Sequence, residues 1–302
     1  MSAPLWPRAT NLAYDSTRGQ VLLFGGLGAT VSNDTWVWDG SYWLRKVSTA
    51  LPSTREGAAL ADDPVHHVVV MFGGDDTGEY RRDTWLWNGT WHQACPAHTP
   101  SLRTGAAMTF DPVNHVVLLF GGADVSGGLD DTWVWNGTDW TLKRPATSPP
   151  PREYARLTFD VARGNAVLYG GSGALSDTWT WDGNNWTQRH PTRKPPVNDQ
   201  AMPIPQQMVY DPVRKVVVFV DPVRHSESSA DDTMDTWTWN GINWTRLAPA
   251  TSPPPRDGHG LAYDSSRALV VFAGGFPSGA AAATSTWGWD GVNWHNLGPL
   301  AA

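Results

Sequence analysis

Cysteine is all but missing from this chain. Cys95 stands alone, so no internal disulfide can form and the fold has to hold without one. Long apolar runs are missing too. No stretch approaches the roughly 18 residues of a membrane-spanning helix, which excludes a helical membrane protein. Positive charge is scarce. Lys and Arg number 22 against 29 Asp and Glu, the net charge is −7 and no basic stretch could track a phosphate backbone, which argues against a nucleic-acid partner. The first residues, Met1 to Pro7, lack the positive and apolar regions of a signal peptide, so the expectation is a cytoplasmic protein. A mature secreted fragment is the other reading. No Gly-x-Ser-x-Gly, His-Glu-x-x-His or phosphate-loop pattern occurs, and no cofactor is expected.

Tryptophan is abundant, and it is ordered. All 19 tryptophans except Trp6 fall in one recurring phrase, Asp-Thr-Trp-x-Trp-Asp/Asn-Gly followed by a further Trp. The copies begin at Asp34, Asp83, Asp131, Asp177, Asp235 and, with Ser for Asp, at Ser285. Recurrence at this period is the signature of a repeat architecture. Each unit reads as four strands, A to D. Strand A ends at an aromatic and Asp, as in Thr109-Phe110-Asp111. A short turn leads to strand B, an apolar run such as Val116 to Phe120, closed by Gly121-Gly122. A continuous apolar run of that length suits a strand buried on both faces. Strand C holds the Trp pair on one face, because strands repeat every two residues. Asn-Gly or Asp-Gly then turns the chain into strand D.

The register is strict. One interval separates Asp15 from Gly25, Asp63 from Gly73, Asp111 from Gly121, Asp160 from Gly170 and Asp264 from Gly274. Another separates Trp43 from Arg55, Trp91 from Arg103, Trp140 from Arg152 and Trp244 from Arg256. A four-stranded sheet cannot bury both its faces alone. Set radially around an axis, each packs on its neighbours. The expectation is an all-β, single six-bladed β-propeller with four antiparallel strands per blade. The blades would span roughly 7–50, 51–98, 99–147, 148–195, 196–250 and 251–302. The A–B and C–D turns share one face of the disc; the B–C and D–A loops share the other.

The Gly doublet after a β-branched strand, the aromatic strand C, the strand-D Trp and the run Arg103-Thr104-Gly105-Ala106 resemble the kelch repeat. The resemblance covers essentially the whole chain. It departs in the paired Trp of strand C, where many kelch repeats have one Tyr. It is specific for fold and not for function, since kelch propellers include enzymes, adaptors and carbohydrate-binding proteins.

Function is sought where the repeat breaks. In the fifth unit the doublet becomes Asp221-Pro222, the B–C loop runs from Val223 to Met234, and the linker before strand A is long. Long loops on a rigid frame are where binding groups collect. They bring Asp221, Arg224, His225, Glu227 and Asp231. A divalent metal on His225, Glu227 and Asp231 is the weaker reading; the pattern partly resembles the Glu-xxx-Asp-xxx-His iron motif of nitrile-specifier kelch proteins, with Asp235 where His belongs. The stronger reading is a metal-free protein. The Cys–Tyr cross-link set of galactose-oxidase-type kelch enzymes has no match around Cys95.

The second constellation is a ring of arginines at the head of strand A: Arg55, Arg103, Arg152 and Arg256, with Arg8 one residue off the register and Pro203 in the fifth unit. If strand A is innermost, as the kelch resemblance implies, these forks approach the channel mouth. There they suit a small anionic molecule or an acidic partner segment. The competing expectation pairs each Arg with an acid of a neighbouring blade. A cofactor-independent enzyme of isomerase, mutarotase or cyclase type is the alternative function. Its proton-transfer groups would come from Glu153, Tyr154, Asp257, His259 and His225. A passive interaction scaffold is the third. The protein is expected to be a monomer.

Overall fold

The computed structural model describes residues 12–28, 30–173, 175–196, 207–223, 232–277 and 285–299. Six four-stranded antiparallel sheets are present, and each is built from one continuous stretch of chain. Strand A of each sheet lies beside strand A of the next around the ring, and the first blade's Leu12–Asp15 meets the sixth blade's Arg256–Asp264. The architecture is the six-bladed β-propeller that the repeats predict. Among the described residues no helix is long and apolar enough to cross a membrane.

Strand B explains the radial packing. In blade three, Val117, Leu118, Leu119 and Phe120 are all fully buried. Alternate side chains leave opposite faces of a strand. Leu118 and Phe120 therefore pack with Leu157, Phe159 and Trp181 of blade four. Val117 and Leu119 pack with Ala61, Val70 and Phe72 of blade two. One apolar run serves two interfaces, so strand B shows no polar alternation.

Each repeat carries three tryptophans in three different environments. The strand-D Trp crosses the interface, and its indole N–H donates to a Thr hydroxyl in strand C of the preceding blade. The bonds are Trp91–Thr35, Trp140–Thr84, Trp186–Thr132, Trp244–Thr178 and Trp294–Thr236, at 2.8–3.0 Å. Trp43 to Thr286, at 3.1 Å, closes the ring between the first and last blades. The second Trp of strand C, as in Trp135, is buried and packs tilted on the strand-D Trp, with ring centroids 5.4 Å apart for Trp135 and Trp140. Both are interblade core, as sixfold recurrence predicts. The first Trp of the pair is different. Trp85, Trp179 and Trp237 are buried, Trp36, Trp133 and Trp287 only half-buried, and this position belongs to the contact described below.

A second joint lies on the turn face. The buried Asp that ends strand A caps the A–B turn and holds the side chain three residues on, as in Arg163–Asp160 at 2.6 Å. That side chain reaches under the C–D turn of the next blade. A Cβ on Gly241 would come within 2.1 Å of Arg163, and one on Gly137 within 2.2 Å of His66. Glycine in these hairpin turns therefore makes room as well as adopting positive φ.

Blade five departs from the expected loop. Its ladder continues past the lost doublet through Asp221–Asp235, Pro222–Met234 and Val223–Thr233. The ends of the supposed loop at Val223 and Met234 are paired strand, and residues 224–231 lie outside the described residues.

Candidate functional site

The arginines at the head of strand A do not reach the mouth. Arg103 is fully buried. Its Nη1 donates to Asp131 Oδ1 at 2.5 Å and to the Gly121 carbonyl at 2.9 Å; its Nη2 donates to Asp131 Oδ2 at 2.8 Å. Trp133 Nε1 donates to the same Oδ2 at 2.7 Å. The trio recurs as Arg55–Asp83–Trp85 and Arg152–Asp177–Trp179. Burial alone would raise these carboxyls; the paired guanidinium and the indole N–H outweigh it and hold Asp83, Asp131 and Asp177 below the usual carboxylate value. Each acid belongs to the arginine's own blade, not to a neighbour.

The arginine backbone makes the link to the neighbour. Gly74 N donates to the Arg103 carbonyl at 2.9 Å, and Gly122 N to that of Arg152 at 2.9 Å. A Cβ on Gly73 or Gly121, both at positive φ, would stand 2.5 or 2.6 Å from those oxygens. The doublet is glycine because the next blade's chain passes where a Cβ would be.

Strand A of all six blades surrounds a central channel of about 420 Å³. Its wall is apolar: Leu12, Leu60, Met108, Leu157, Met208 and Leu261 hold one register. Toward the turn face the register reads Tyr14, Asp62, Phe110, Phe159, Tyr210 and Tyr263, an aromatic set with a single acid. Burial, despite hydrogen bonds from Ser16, pushes the Asp62 carboxyl up to about 7. Gln207 spans the inner edges of two strands. Its Oε1 accepts from Leu12 N at 2.8 Å and Leu261 N at 2.9 Å, and its Nε2 donates to the Leu12 carbonyl at 2.7 Å.

At the opposite mouth Gly57, Gly105 and Gly258 share one register at φ of 63, 63 and 65°, and the fourth blade places Tyr154 there at φ 54°. Backbone bonds run along this register, from Gly105 N to the Gly57 carbonyl at 2.9 Å and from Tyr154 N to the Gly105 carbonyl at 2.7 Å. The Tyr154 ring covers Gly105 so closely that a Cβ there would lie 2.9 Å from it. A half-buried tyrosine in the left-handed region is a strained choice that the surroundings must enforce. Its phenol pKa is raised by burial and by Glu153, Asp75 and Glu56. Glu153 itself is raised by burial and by Asp75. The mouth is thus acidic. Among the described residues neither Asp75 nor Glu153 has a cation within salt-bridge distance.

The recurring Gly doublet, the strand-A Arg and the strand-D Trp now have one geometry each. The family model for the KLHDC2/KLHL20/DRC7 Kelch-repeats domain matches residues 9–210. The chain belongs to the kelch family. A search of curated proteins finds no match to it.

Within this kelch propeller the expected site residues part company. Glu153 and Tyr154 do meet at the mouth. Arg55, Arg103 and Arg152 are corrected to buried intrablade contacts, because their donors are already taken. Arg256 is fully buried as well. Asp221 is buried, with Arg156 Nη2 at 3.7 Å, and is not open to a ligand. His259 is completely buried, lies on Phe272 at 4.6 Å between centroids, and faces the Arg256 carbonyl with Nδ1 at 3.3 Å. Burial drives its pKa down to about 3, so it stays neutral and cannot serve as a general base at a wet mouth. Asp257 pairs with Phe276 in the blade-six ladder. Arg8, Arg224, His225, Glu227 and Asp231 lie outside the described residues. No group of three potential metal ligands occurs among the described residues.

Two signals were missed in the sequence. Gln207, like Arg156 of the fourth blade, is a long polar side chain at a register where blades two, three and six have Ala59, Ala107 and Gly260. The second is a substitution pattern. Where the strand-A Arg is absent or out of register, in units one and five, strand D carries Arg45 or Arg246, and these hold Asp34 and Asp235 instead. That complementarity already marks the arginines as partners of the repeat's own Asp.

Proposed function

We propose that this kelch propeller is a binding module that takes a partner segment carrying positive charge at the channel mouth on the face of the D–A and B–C loops. The observation that carries the reading is the pairing of Asp75 and Glu153 around a strained Tyr154, each acid raising the pKa of that phenol. A carboxyl raised by a neighbouring acid, as Glu153 is by Asp75, is stabilised in its charged form by an incoming cation. The aromatic face of Tyr154 adds a place for a guanidinium or ammonium. The apolar channel behind the mouth accepts the aliphatic part of such a side chain. The anionic ligand expected from an arginine ring loses its basis, because those forks are internal. The isomerase or cyclase alternative loses His259 for the same kind of reason.

A random-peptide display selection tests the reading. Selected peptides should be rich in Lys or Arg, and their binding should weaken with salt. Replacing Asp75→Asn and Glu153→Gln together should weaken them by at least tenfold, about 1.4 kcal/mol or more. Selection of acidic peptides, or of basic ones that bind the double variant equally well, would overturn it.

A further inference from the structure

Blade six breaks the arginine contact from the other side. Arg256 keeps its place, fully buried, but Ser285 stands where the other repeats have Asp. In blades two to four the carboxylate gives two oxygens and a full charge, at 2.5–2.9 Å from the guanidinium. In blade six Ser285 Oγ accepts from Arg256 Nη2 at 3.2 Å and from Trp287 Nε1 at 3.0 Å. Nη1 turns to the Ser285 and Gly274 carbonyls at 3.2 and 3.3 Å. Every one of these contacts is to a neutral oxygen, and each Arg256 contact is longer than those to the sister carboxylates. The segment 278–284, Ser-Gly-Ala-Ala-Ala-Ala-Thr, holds no acid in its sequence. Strand D offers Asn296 where blades one and five offer an Arg, so no swap of partners accounts for the change. The cation lies over the Phe272 ring, with Cζ 5.0 Å from its centroid. That contact recovers part of the loss and supplies no counter-charge. Burial lowers the Arg256 pKa to about 10, with no carboxylate among the described residues opposing the shift.

We infer that blade six holds a small monovalent anion, chloride or a small carboxylate such as formate, against Arg256, Trp287 Nε1 and the Ser285 hydroxyl. The three donors that surround an aspartate in the sister blades remain, held here at 3.0–3.3 Å by neutral oxygens that an anion would displace, and the aspartate's charge is gone. A serine hydroxyl can also donate, which an aspartate cannot. The sister carboxylates are 18–28% exposed, so this place in a blade is within reach of solvent. A buried guanidinium without a counter-charge is costly, and an anion that binds only the folded state stabilises it by mass action.

The test is thermal unfolding of the whole chain at constant ionic strength, with sodium gluconate, too bulky for the site, exchanged for sodium chloride or sodium formate. The melting temperature should rise by about 2–4 °C as either small anion saturates the site. Ser285→Asp should melt higher in gluconate than the native chain and lose the response to both anions. Arg256→Met should also lose the response, which keeps the test open if Ser285→Asp folds poorly. A response to chloride alone would assign a halide site, and a response to both a general small-anion site. Equal melting in all three salts, or an undiminished response in both variants, would overturn the inference.

Discussion

Arg103 and Asp131 lie 28 residues apart in blade three and meet as a two-point pair, with Nη1–Oδ1 at 2.5 Å and Nη2–Oδ2 at 2.8 Å. The arginine enters strand A, and the aspartate opens strand C. Their contact holds the loop ends of the blade together, while the Arg103 carbonyl is held by Gly74 of the preceding blade. The side chain thus fastens one blade and the main chain joins two.

Arg103→Met should destabilise the propeller by about 2–4 kcal/mol, because it leaves a mostly buried carboxylate without its cation. The pH dependence follows from the lowered pKa values of Asp83, Asp131 and Asp177. The unfolded chain binds protons first as pH falls. The stabilisation is therefore complete above the unfolded value near pH 4, roughly, and is lost as pH falls through the folded values. Urea unfolding at a series of pH values should show the acid limb, and the limb should be shallower in Arg103→Met. Equal slopes would show that Asp131 is not a source of acid sensitivity.

Gly121→Ala should destabilise by well over about 1 kcal/mol, since positive φ and a clash with the Arg152 carbonyl add together. Gly78→Ala is the control. Gly78 also has positive φ, but a Cβ there meets nothing within 4 Å. Its loss should stay near about 1 kcal/mol, the conformational part alone. Denaturant midpoints for the two variants separate the terms.

Trp140→Ala should cost about 3–5 kcal/mol, as a large buried ring at an interface leaves a cavity. Thr84→Val is the finer test. It keeps the volume and strands Trp140 Nε1, now bonded to Thr84 Oγ1 at 2.9 Å, at a cost of about 1–3 kcal/mol. Trp133→Ala should cost less than Trp140→Ala, because Trp133 is only half-buried.

Tyr154→Gly should leave stability within about 1 kcal/mol, because relief of a left-handed tyrosine offsets the lost ring packing. If the mouth binds a basic segment, the same change should weaken that binding at least threefold. A variant that binds unchanged would reduce Tyr154 to a structural curiosity of blade four.

His259 should show no titration by NMR down to about pH 4, since burial holds its pKa near 3. A folded pKa below the unfolded value of about 6.5 means the unfolded state takes up the proton first. The histidine's contribution is thus full above that value and fades as pH falls toward about 3. His259→Phe should flatten stability between these limits.

The strands, their order and the radial packing were legible in the chain by itself. Repetition multiplies a local pattern sixfold, and an apolar run such as Val117 to Phe120 has no stable place except between two other sheets. The Trp positions followed from the same logic. The ends of the arginine side chains did not. A register shared by Arg55, Arg103, Arg152 and Arg256 says where the backbone enters a blade, and a long flexible side chain can turn from there to the axis or back into its sheet. Only the tertiary fold brings Asp83, Asp131 and Asp177 within reach, and the choice goes to the buried pair because a fork that meets a carboxylate bidentately is better held than one facing water. That choice decided the charge of the mouth. With the arginines turned inward, the acids beside them, Asp75 and Glu153, set the field, and the sign inferred from the sequence was reversed.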